Sequence, residues 1–210
     1  MHDRAGLGSS DPAPGLRTSV QMVEDLRAVL AAAQVRPPYV LVGHSVGGFN
    51  VRLFAGKYPD DVAGMVLVDS SHPDQLTKFS SILPPETPGE AMALKLLRRG
   101  PHVTLSTEAI DFQACGEQVR RVATIGVKPL VVVSQSPHAL APPGIPVPVW
   151  EKMRIIWSDL QSDLLGLSGS GTRVIATHAG HQVQLDEPNL VIDAILSVVR
   201  DARAGARRTH

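Results

Sequence analysis

Four short apolar runs, separated mostly by helical patterns, constrain the fold of this 210-residue chain more than any other feature. Each run is short, apolar and rich in β-branched residues, and the first is continuously apolar rather than alternating, as a strand buried on both faces of a sheet should be. The runs cover residues 39–42, 65–68, 130–133 and 173–176. Strands that alternate with helices favour a parallel sheet with helices on both faces. We therefore predict an α/β fold, a three-layer α/β/α arrangement around a mostly parallel sheet.

The stretch between the second and third runs breaks this alternation. Residues 73–126 contain three helical patterns interrupted by prolines, and no strand-like run. We interpret the stretch as a helical cap inserted into a core that comprises residues 1–72 and 127–210. Six apolar side chains of the insertion suit either a site for a hydrophobic acyl or alcohol group or the packing of the cap onto the core: Phe79, Ile82, Leu83, Leu94, Leu96 and Leu97.

Composition and charge exclude several classes of function. Lysine plus arginine equals aspartate plus glutamate, at 20 each, so no overall field points to nucleic acid. No apolar run reaches the roughly 18 residues of a transmembrane helix, and the first residues lack the apolar segment of a signal peptide. With a single cysteine and no metal-ligand spacing, we predict a cytoplasmic protein that uses no disulfide, metal or cofactor.

A glycine-flanked serine follows the first apolar run directly. In Gly43-His44-Ser45-Val46-Gly47 the serine stands between a predicted strand and a predicted helix, which is the setting of a nucleophile elbow. Both glycines are expected to avoid clashes that a Cβ atom would cause in so tight a turn. We predict that Ser45 is a catalytic nucleophile and that the backbone N–H of Val46 stabilises an oxyanion. A glycine-rich turn with an incidental serine is the alternative.

A serine hydroxyl needs a base to take its proton, and the base is expected on a loop after the last strand. His181 meets this requirement and is our candidate. His178, three residues earlier, is the rival. His44 stands beside the serine in sequence, but we expect its side chain to turn away from Ser45 and to play a structural part.

The third group of such a site is an acid that orients the imidazole and stabilises its cation. Asp69 directly follows the second apolar run, whereas the loop after the third run begins Ser-Gln-Ser-Pro-His and contains no carboxylate there. Asp69 is therefore our candidate. Asp159 and Asp163 are alternatives if the helix that carries them reaches the site, and Asp74 and Asp186 are further options.

Four pieces of the sequence, in the expected order, together resemble the α/β-hydrolase superfamily. They are residues 2–10 (HDRAGLGSS), the elbow at 43–48, residues 64–69 (GMVLVD), and Gly180-His181 followed by residues 186–188. The resemblance implies a serine esterase-like acyl hydrolase, of the carboxylic ester hydrolase class, with Ser45, His181 and Asp69 as its triad. It also implies that Asp3 and Arg4 lie near the entrance to the site.

One departure from the family pattern concerns the strands that precede the loop at residues 2–10. Family members carry further strands there, together with an HG-type loop that supplies a second oxyanion donor, and this sequence has neither. By that resemblance the chain is a hydrolase without its N-terminal strands. The strand that leads to Ser45 would then have an open edge, which invites pairing with another chain. We therefore expect either a fragment or a homo-oligomer formed through this edge.

Hydrolysis of a small-molecule carboxylic ester or related acyl compound is the function that these patterns predict. It would proceed through a Ser-His-Asp triad and an acyl-enzyme intermediate, chemistry that needs no cofactor or metal. Neither nucleic acid nor a membrane is an expected partner. The alternative is a catalytically impaired relative that binds a small apolar ligand.

Overall fold

Four parallel strands form one sheet in the computed structural model, which describes residues 3–99 and 108–208. The register pairs Val42 with Val66, Val66 with Val131 and Val131 with Thr172. The predicted α/β fold with a parallel sheet is confirmed. The strands lie side by side in chain order: β1 (Tyr39–His44), β2 (Val62–Val68), β3 (Leu130–Ser134) and β4 (Gly171–Ile175).

Helices connect and cover these strands. α6 begins before the predicted start near Trp150, because Pro148 occupies its first turn, where a missing N–H breaks no helical bond. A short helix before the last one was not predicted, and the last one continues beyond Arg200. The helices are α1 (Ser19–Ala32), α2 (Gly47–Lys57), α3 (Gln75–Ser80), α4 (Met92–Arg99), α5 (Phe112–Val119), α6 (Val147–Asp163), α7 (Val183–Asp186) and α8 (Pro188–Arg208).

Alternate residues of β2 face opposite helical layers. Met65 and Leu67 pack into one apolar cluster with side chains of α1 and α2, whereas Val66 and Val68 pack into another with side chains of α7 and α8. All four side chains are at most 1% exposed, and burial of each contributes about 1.5–3 kcal/mol relative to exposure. Both faces of the sheet are therefore covered at β2, which explains its continuously apolar run.

The helices between β2 and β3 pack in two different places. α3 and α4 lie against α6, where Phe79 and Leu94 are buried in one cluster with Trp157. Of the other four apolar side chains singled out in this stretch, three (Ile82, Leu83 and Leu97) pack against the same cluster. α5 instead packs on α1 and α2 through Cys115 and Val119.

The third helical pattern of the insertion yields a helix at Phe112–Val119, shorter than the predicted 107–125. Residues 100–107, where this pattern begins, lie outside the described residues. The division into a core and a cap at residues 73–126 stays a prediction.

Across residues 3–99 and 108–208, no helix is both long enough and apolar enough to cross a bilayer.

Candidate active site

Ser45 occupies a tight turn between β1 and α2. Its φ of 53° lies in the left-handed region, which residues other than glycine adopt rarely and usually where the surrounding structure enforces it. Its N–H donates to the carbonyl oxygen of Val68 at 3.2 Å, and its carbonyl oxygen accepts from the N–H groups of Gly48 at 2.9 Å and Ser71 at 3.0 Å. Hydrogen bonds to the end of β2 and to α2 therefore hold the serine at the carboxyl edge of the sheet.

Close approaches explain two of the three glycines of this turn, Gly43 and Gly48, and the one at Gly48 was not predicted. A Cβ atom on Gly43 would lie 2.6 Å from the carbonyl oxygen of Gly47, as expected for the tight turn. The prediction was wrong for Gly47, where a Cβ would meet nothing within 4 Å. The second constrained position is Gly48, whose added Cβ would lie 1.8 Å from Ser70 Oγ, because the first turn of α2 packs against the loop after β2.

His181 lies in the loop between β4 and α7 and faces the serine. Its Nε2 is 3.0 Å from Ser45 Oγ, and its Nδ1 is 2.7 Å from Asp69 Oδ2. His178, the rival candidate, is exposed, and its backbone N–H donates to Glu187 Oε1 at 2.6 Å. Because a carboxylate only accepts, Nδ1 is the donor toward Asp69 and Nε2 is free to accept the hydroxyl proton of the serine.

The loop of His181 is held by Glu187, at the start of α8. Its carboxylate accepts from the N–H groups of Thr177, His178 and Ala179 at 3.3, 2.6 and 2.8 Å. These hydrogen bonds lower the pKa of Glu187, and the bond from His178 has the largest effect. The loop backbone therefore has a fixed path although the side chain of His181 is 45% exposed.

Asp69 directly follows β2 and is fully buried, with a positive φ of 39°. Its Oδ1 accepts from the N–H of Gln135 at 2.9 Å and from Trp157 Nε1 at 2.7 Å, while Oδ2 faces His181. Three donors thus surround the carboxylate, which compensates for its removal from water.

The other candidate acids have different partners. Asp163 Oδ2 lies 3.0 Å from His72 Nε2, and Asp74 Oδ1 lies 2.5 Å from Arg120 Nη2. Asp186 accepts from the N–H of Gly180 at 3.0 Å. The remaining candidate, Asp159, contributes to the electrostatic environment of Arg173 on β4. Of the five aspartates considered, Asp69 is the one that the structure brings to His181.

Two groups that contact Asp69 were missed by the sequence reasoning: the N–H of Gln135 and the indole of Trp157. The sequence does indicate that Trp157 is buried, because Trp157 shares an apolar helical face with Met153 and Leu160. That face indicates burial but not which end of the sheet the helix covers. The covered end depends on the path of the proline-rich loop before α6.

His44 turns its ring toward His181. Its Nε2 is 2.8 Å from the carbonyl oxygen of His181, and the two ring centroids are 4.7 Å apart. Burial is the largest influence on the pKa of His44 and lowers it. The neutral imidazole is therefore favoured, with Nε2 donating to the carbonyl oxygen.

Val46, the predicted oxyanion donor, stands at the N-terminus of α2. Its carbonyl oxygen accepts from the N–H of Phe49 at 3.0 Å, whereas no residue of the described part accepts a hydrogen bond from its own N–H.

β1, which leads into this turn, pairs with β2 and is an outer strand of the sheet that residues 3–99 and 108–208 form. Its Val42 is 42% exposed.

Residues 3–10 form a loop held by two acidic partners. Asp3 Oδ2 accepts from the N–H of Ser9 at 3.1 Å, and Arg4 forms a two-pronged ion pair with Glu108 at 2.5 and 2.9 Å. His2, which begins the family-like motif, lies outside the described residues. The position of Asp3 and Arg4 at the entrance to the site stays a prediction. Within the described part, no cluster of three or more metal-binding side chains occurs.

Comparison with known proteins gives consistent results for sequence and fold. A family model described as alpha/beta hydrolase fold matches residues 1–120. YqjL of Bacillus subtilis (strain 168), an uncharacterized protein, is 32% identical over 199 residues, which cover 94% of this chain and 71% of YqjL. A thermophilic esterase from Thermogutta terrifontis has a similar structure, with a TM-score of 0.61 at 20% identity over 94% of this chain and 77% of the esterase. The esterase EaEST from Exiguobacterium antarcticum has a TM-score of 0.57 at 14% identity, over 93% and 78% of the two chains.

Proposed function

This chain belongs to the α/β-hydrolase fold family, and we propose that it is a serine hydrolase that cleaves a carboxylic ester or a related acyl bond. One observation carries the proposal: the ring of His181 lies between Ser45 and Asp69, with Nε2 3.0 Å from Ser45 Oγ and Nδ1 2.7 Å from Asp69 Oδ2. Both distances are those of direct hydrogen bonds, so a proton has an unbroken route from the serine to the imidazole.

The chemistry follows from the direction of these hydrogen bonds. His181 Nε2 takes the hydroxyl proton while Ser45 Oγ attacks the carbonyl carbon of the substrate, and Asp69 stabilises the imidazolium. The oxyanion of the tetrahedral intermediate accepts from the N–H of Val46. Collapse of the intermediate breaks the bond to the leaving alcohol, which takes the proton from Nε2 and leaves an acyl group on the serine. Water then attacks the acyl group with the same base, restores the serine and releases the acid.

A fluorophosphonate probe, which phosphonylates activated serines, tests this assignment. We expect rapid labelling of the wild-type chain at the peptide that contains Ser45, no labelling of Ser45→Ala, and labelling at least about a hundredfold slower for His181→Ala. His178→Ala is the matched control, because it changes a histidine of the same loop, and it should label at the wild-type rate.

Two outcomes would contradict the proposal. Absence of labelling in a folded wild-type protein would favour the alternative function, in which the protein binds a small apolar ligand without cleaving it. That alternative predicts a rise in melting temperature with apolar esters and no release of product. Equal labelling of wild type and Ser45→Ala would show that another nucleophile reacts.

A further inference from the structure

Trp157 of α6 contacts both members of the Asp69–His181 pair. Its Nε1 donates to Asp69 Oδ1 at 2.7 Å, and its ring lies edge-on to the ring of His181, with centroids 6.4 Å apart and planes at 77°. On its other side the indole stacks on Phe79 of α3. Building on the proposed function, we propose that Trp157 is a positioning residue that fixes the Asp69 carboxylate in the orientation His181 requires.

The need for such a residue follows from the torsional freedom of an aspartate. Rotation of a carboxylate about its Cβ–Cγ bond has broad minima, so the rotamer alone does not decide where each oxygen points. In Asp69 two donors, Gln135 N–H and Trp157 Nε1, converge on Oδ1. Turning the carboxylate would break both bonds, and Oδ2 is thereby directed at Nδ1 of His181.

Trp157 also keeps water away from the carboxylate. The tryptophan is 8% exposed, and Asp69, to which its indole donates, is fully buried. A hydrogen bond in a place of low dielectric constant is stronger than one in water, and an unmade one costs more. The indole therefore supplies a donor and excludes the solvent that would compete with it.

The helix that carries Trp157 is anchored at both sides of the site. Arg173 on β4 donates to Ser134 Oγ at 2.7 Å and, across to α6, to the carbonyl oxygen of Ser158 at 3.0 Å. One helical turn beyond Trp157, Gln161 Nε2 donates to the carbonyl oxygen of Ser70 at 2.8 Å, just after Asp69. A positioning side chain needs such a rigid support, because a displacement of a fraction of an ångström would lengthen its bond.

Trp150 provides a matched control on the same helix. Its Nε1 donates to the carbonyl oxygen of Ala139 at 2.7 Å, in a loop, and its ring packs against the apolar cluster that contains Trp157. A change from Trp to Phe at either position removes one indole hydrogen bond and a similar volume from α6. Only the change at Trp157 removes a donor from Asp69.

Steady-state kinetics with p-nitrophenyl butyrate compares the two variants. We expect Trp157→Phe to lower kcat about tenfold with KM within about twofold of wild type, because the lost bond serves the reacting groups and not substrate binding. Trp150→Phe should keep kcat within about twofold. Equal losses of kcat in both variants, or a loss confined to KM, would show that Trp157 only packs the helix.

Replacement of Trp157 by benzothienylalanine covers the case in which Trp157→Phe folds poorly. This residue keeps the shape of the two rings and puts sulfur in place of the N–H, so packing is retained and the donor alone is lost. The same reduction of kcat is expected. Wild-type kcat in this variant would overturn the proposal.

A proton NMR signal tests the positioning role without turnover. A histidine Nδ1 proton that is hydrogen-bonded to a buried carboxylate resonates far downfield, and its absence from His181→Ala assigns it. We expect the signal to broaden or vanish in Trp157→Phe and to persist in Trp150→Phe; persistence in both would contradict the proposal. Failure of the proposed function would be seen separately, as wild-type protein without Ser45-dependent turnover.

Discussion

His44 Nε2 donates to the backbone carbonyl oxygen of His181 across 2.8 Å, which ties the residue before the serine to a loop 137 positions later in the chain. The contact is made to the backbone of His181, whereas the ring nitrogens of His181 face Asp69 and Ser45. His44 therefore holds the loop, and Asp69 and Ser45 hold the ring. His44 thereby takes part in the geometry of the site through the backbone and the ring of His181, and Ser45 Oγ and Asp69 have other partners.

Removal of this support should slow the reaction. We expect His44→Ala to lower kcat about tenfold, because the His181 carbonyl loses its donor and the loop gains freedom. His44→Gln, which keeps a donor on a side chain of similar length, should recover part of the loss. Steady-state kinetics of the two variants provides the check, and an unchanged kcat in His44→Ala would contradict the expected role.

Two histidines should make folding stability depend on pH. The pKa values of His44 and His72 are both lowered from 6.5, mainly by burial. In His72, Nδ1 accepts from the N–H of Asp74 at 3.1 Å, a bond that protonation would break. A histidine with a lower pKa in the folded state takes up protons on unfolding, so its contribution is complete above the unfolded pKa and is lost as the pH falls.

We therefore expect the contribution of these two histidines to the free energy of unfolding to be complete above about pH 7 and to be lost as the pH decreases from about 6.5 toward the lowered pKa values. Urea denaturation at a series of pH values measures this dependence. His72→Gln should reduce the slope, whereas His178→Gln, which changes an exposed loop histidine, should leave it as in wild type. A stability that rises on acidification over this range would contradict the expectation.

The choice of Asp69 over the other aspartates can be tested by amide substitutions. We expect Asp69→Asn to lower kcat by about a thousandfold or more, because an amide in this place favours the wrong tautomer of His181. Asp163→Asn keeps an oxygen that can accept from His72 and should change kcat by less than about twofold. Steady-state kinetics of both variants tests the assignment. A larger loss of kcat in Asp163→Asn than in Asp69→Asn would overturn it.

Adjacent glycines at the start of α2 should respond differently to the same substitution. Gly48→Ala would place Cβ 1.8 Å from Ser70 Oγ and is expected to cost about 1–3 kcal/mol of stability. Gly47→Ala meets open space and should be neutral or slightly stabilising, since alanine favours the helix. Urea denaturation compares the two, and Ser70→Gly should restore part of the loss in Gly48→Ala. Equal stabilities would contradict the packing described for α2.

The outer edge of β1 should pair with a second copy of the chain. β1 is bordered only by β2 within the described residues, and Val42 on it is 42% exposed. An apolar outer strand offers unpaired N–H and C=O groups to another strand. We expect light scattering to show a dimer at micromolar concentration and Val42→Lys to shift it to monomer. A stable wild-type monomer would contradict this pairing.

The sheet was predictable because its cause is local. The continuous apolar runs of β2 and β3 reflect burial on both faces, and this pattern is visible without knowledge of the neighbours. Parallel strands place their carboxyl ends at one edge, so Ser45 and Asp69 could be expected to lie close together. The structure brings His181 to them with hydrogen-bond distances, while the catalytic roles of all three remain predictions.

The parts that were not predictable depend on loops and on close packing. Trp157 reaches Asp69 only because the loop before α6 brings that helix over the carboxyl edge, and nothing in the helix itself specifies this path. The constraint at Gly48 arises from Ser70, a residue of another element, and the pattern of the turn could not reveal it. Long-range contacts of this kind leave no periodic signal in the sequence.

The pairing of β1 with β2 determines which parts of the chain can change without moving Ser45 and Asp69 apart. In the register of β1 and β2, His44 pairs with Val68, so Ser45 and Asp69 each follow one member of the same residue pair. Their separation is set by the spacing of neighbouring strands, about 4.8 Å, and not by the length of the connections. Insertions and exchanges between Ser71 and β3, outside α5, which packs on α1 and α2, can therefore remodel the surroundings of the site while Ser45 and Asp69 keep their distance. This segment is thus a place where new specificity could be engineered or could evolve.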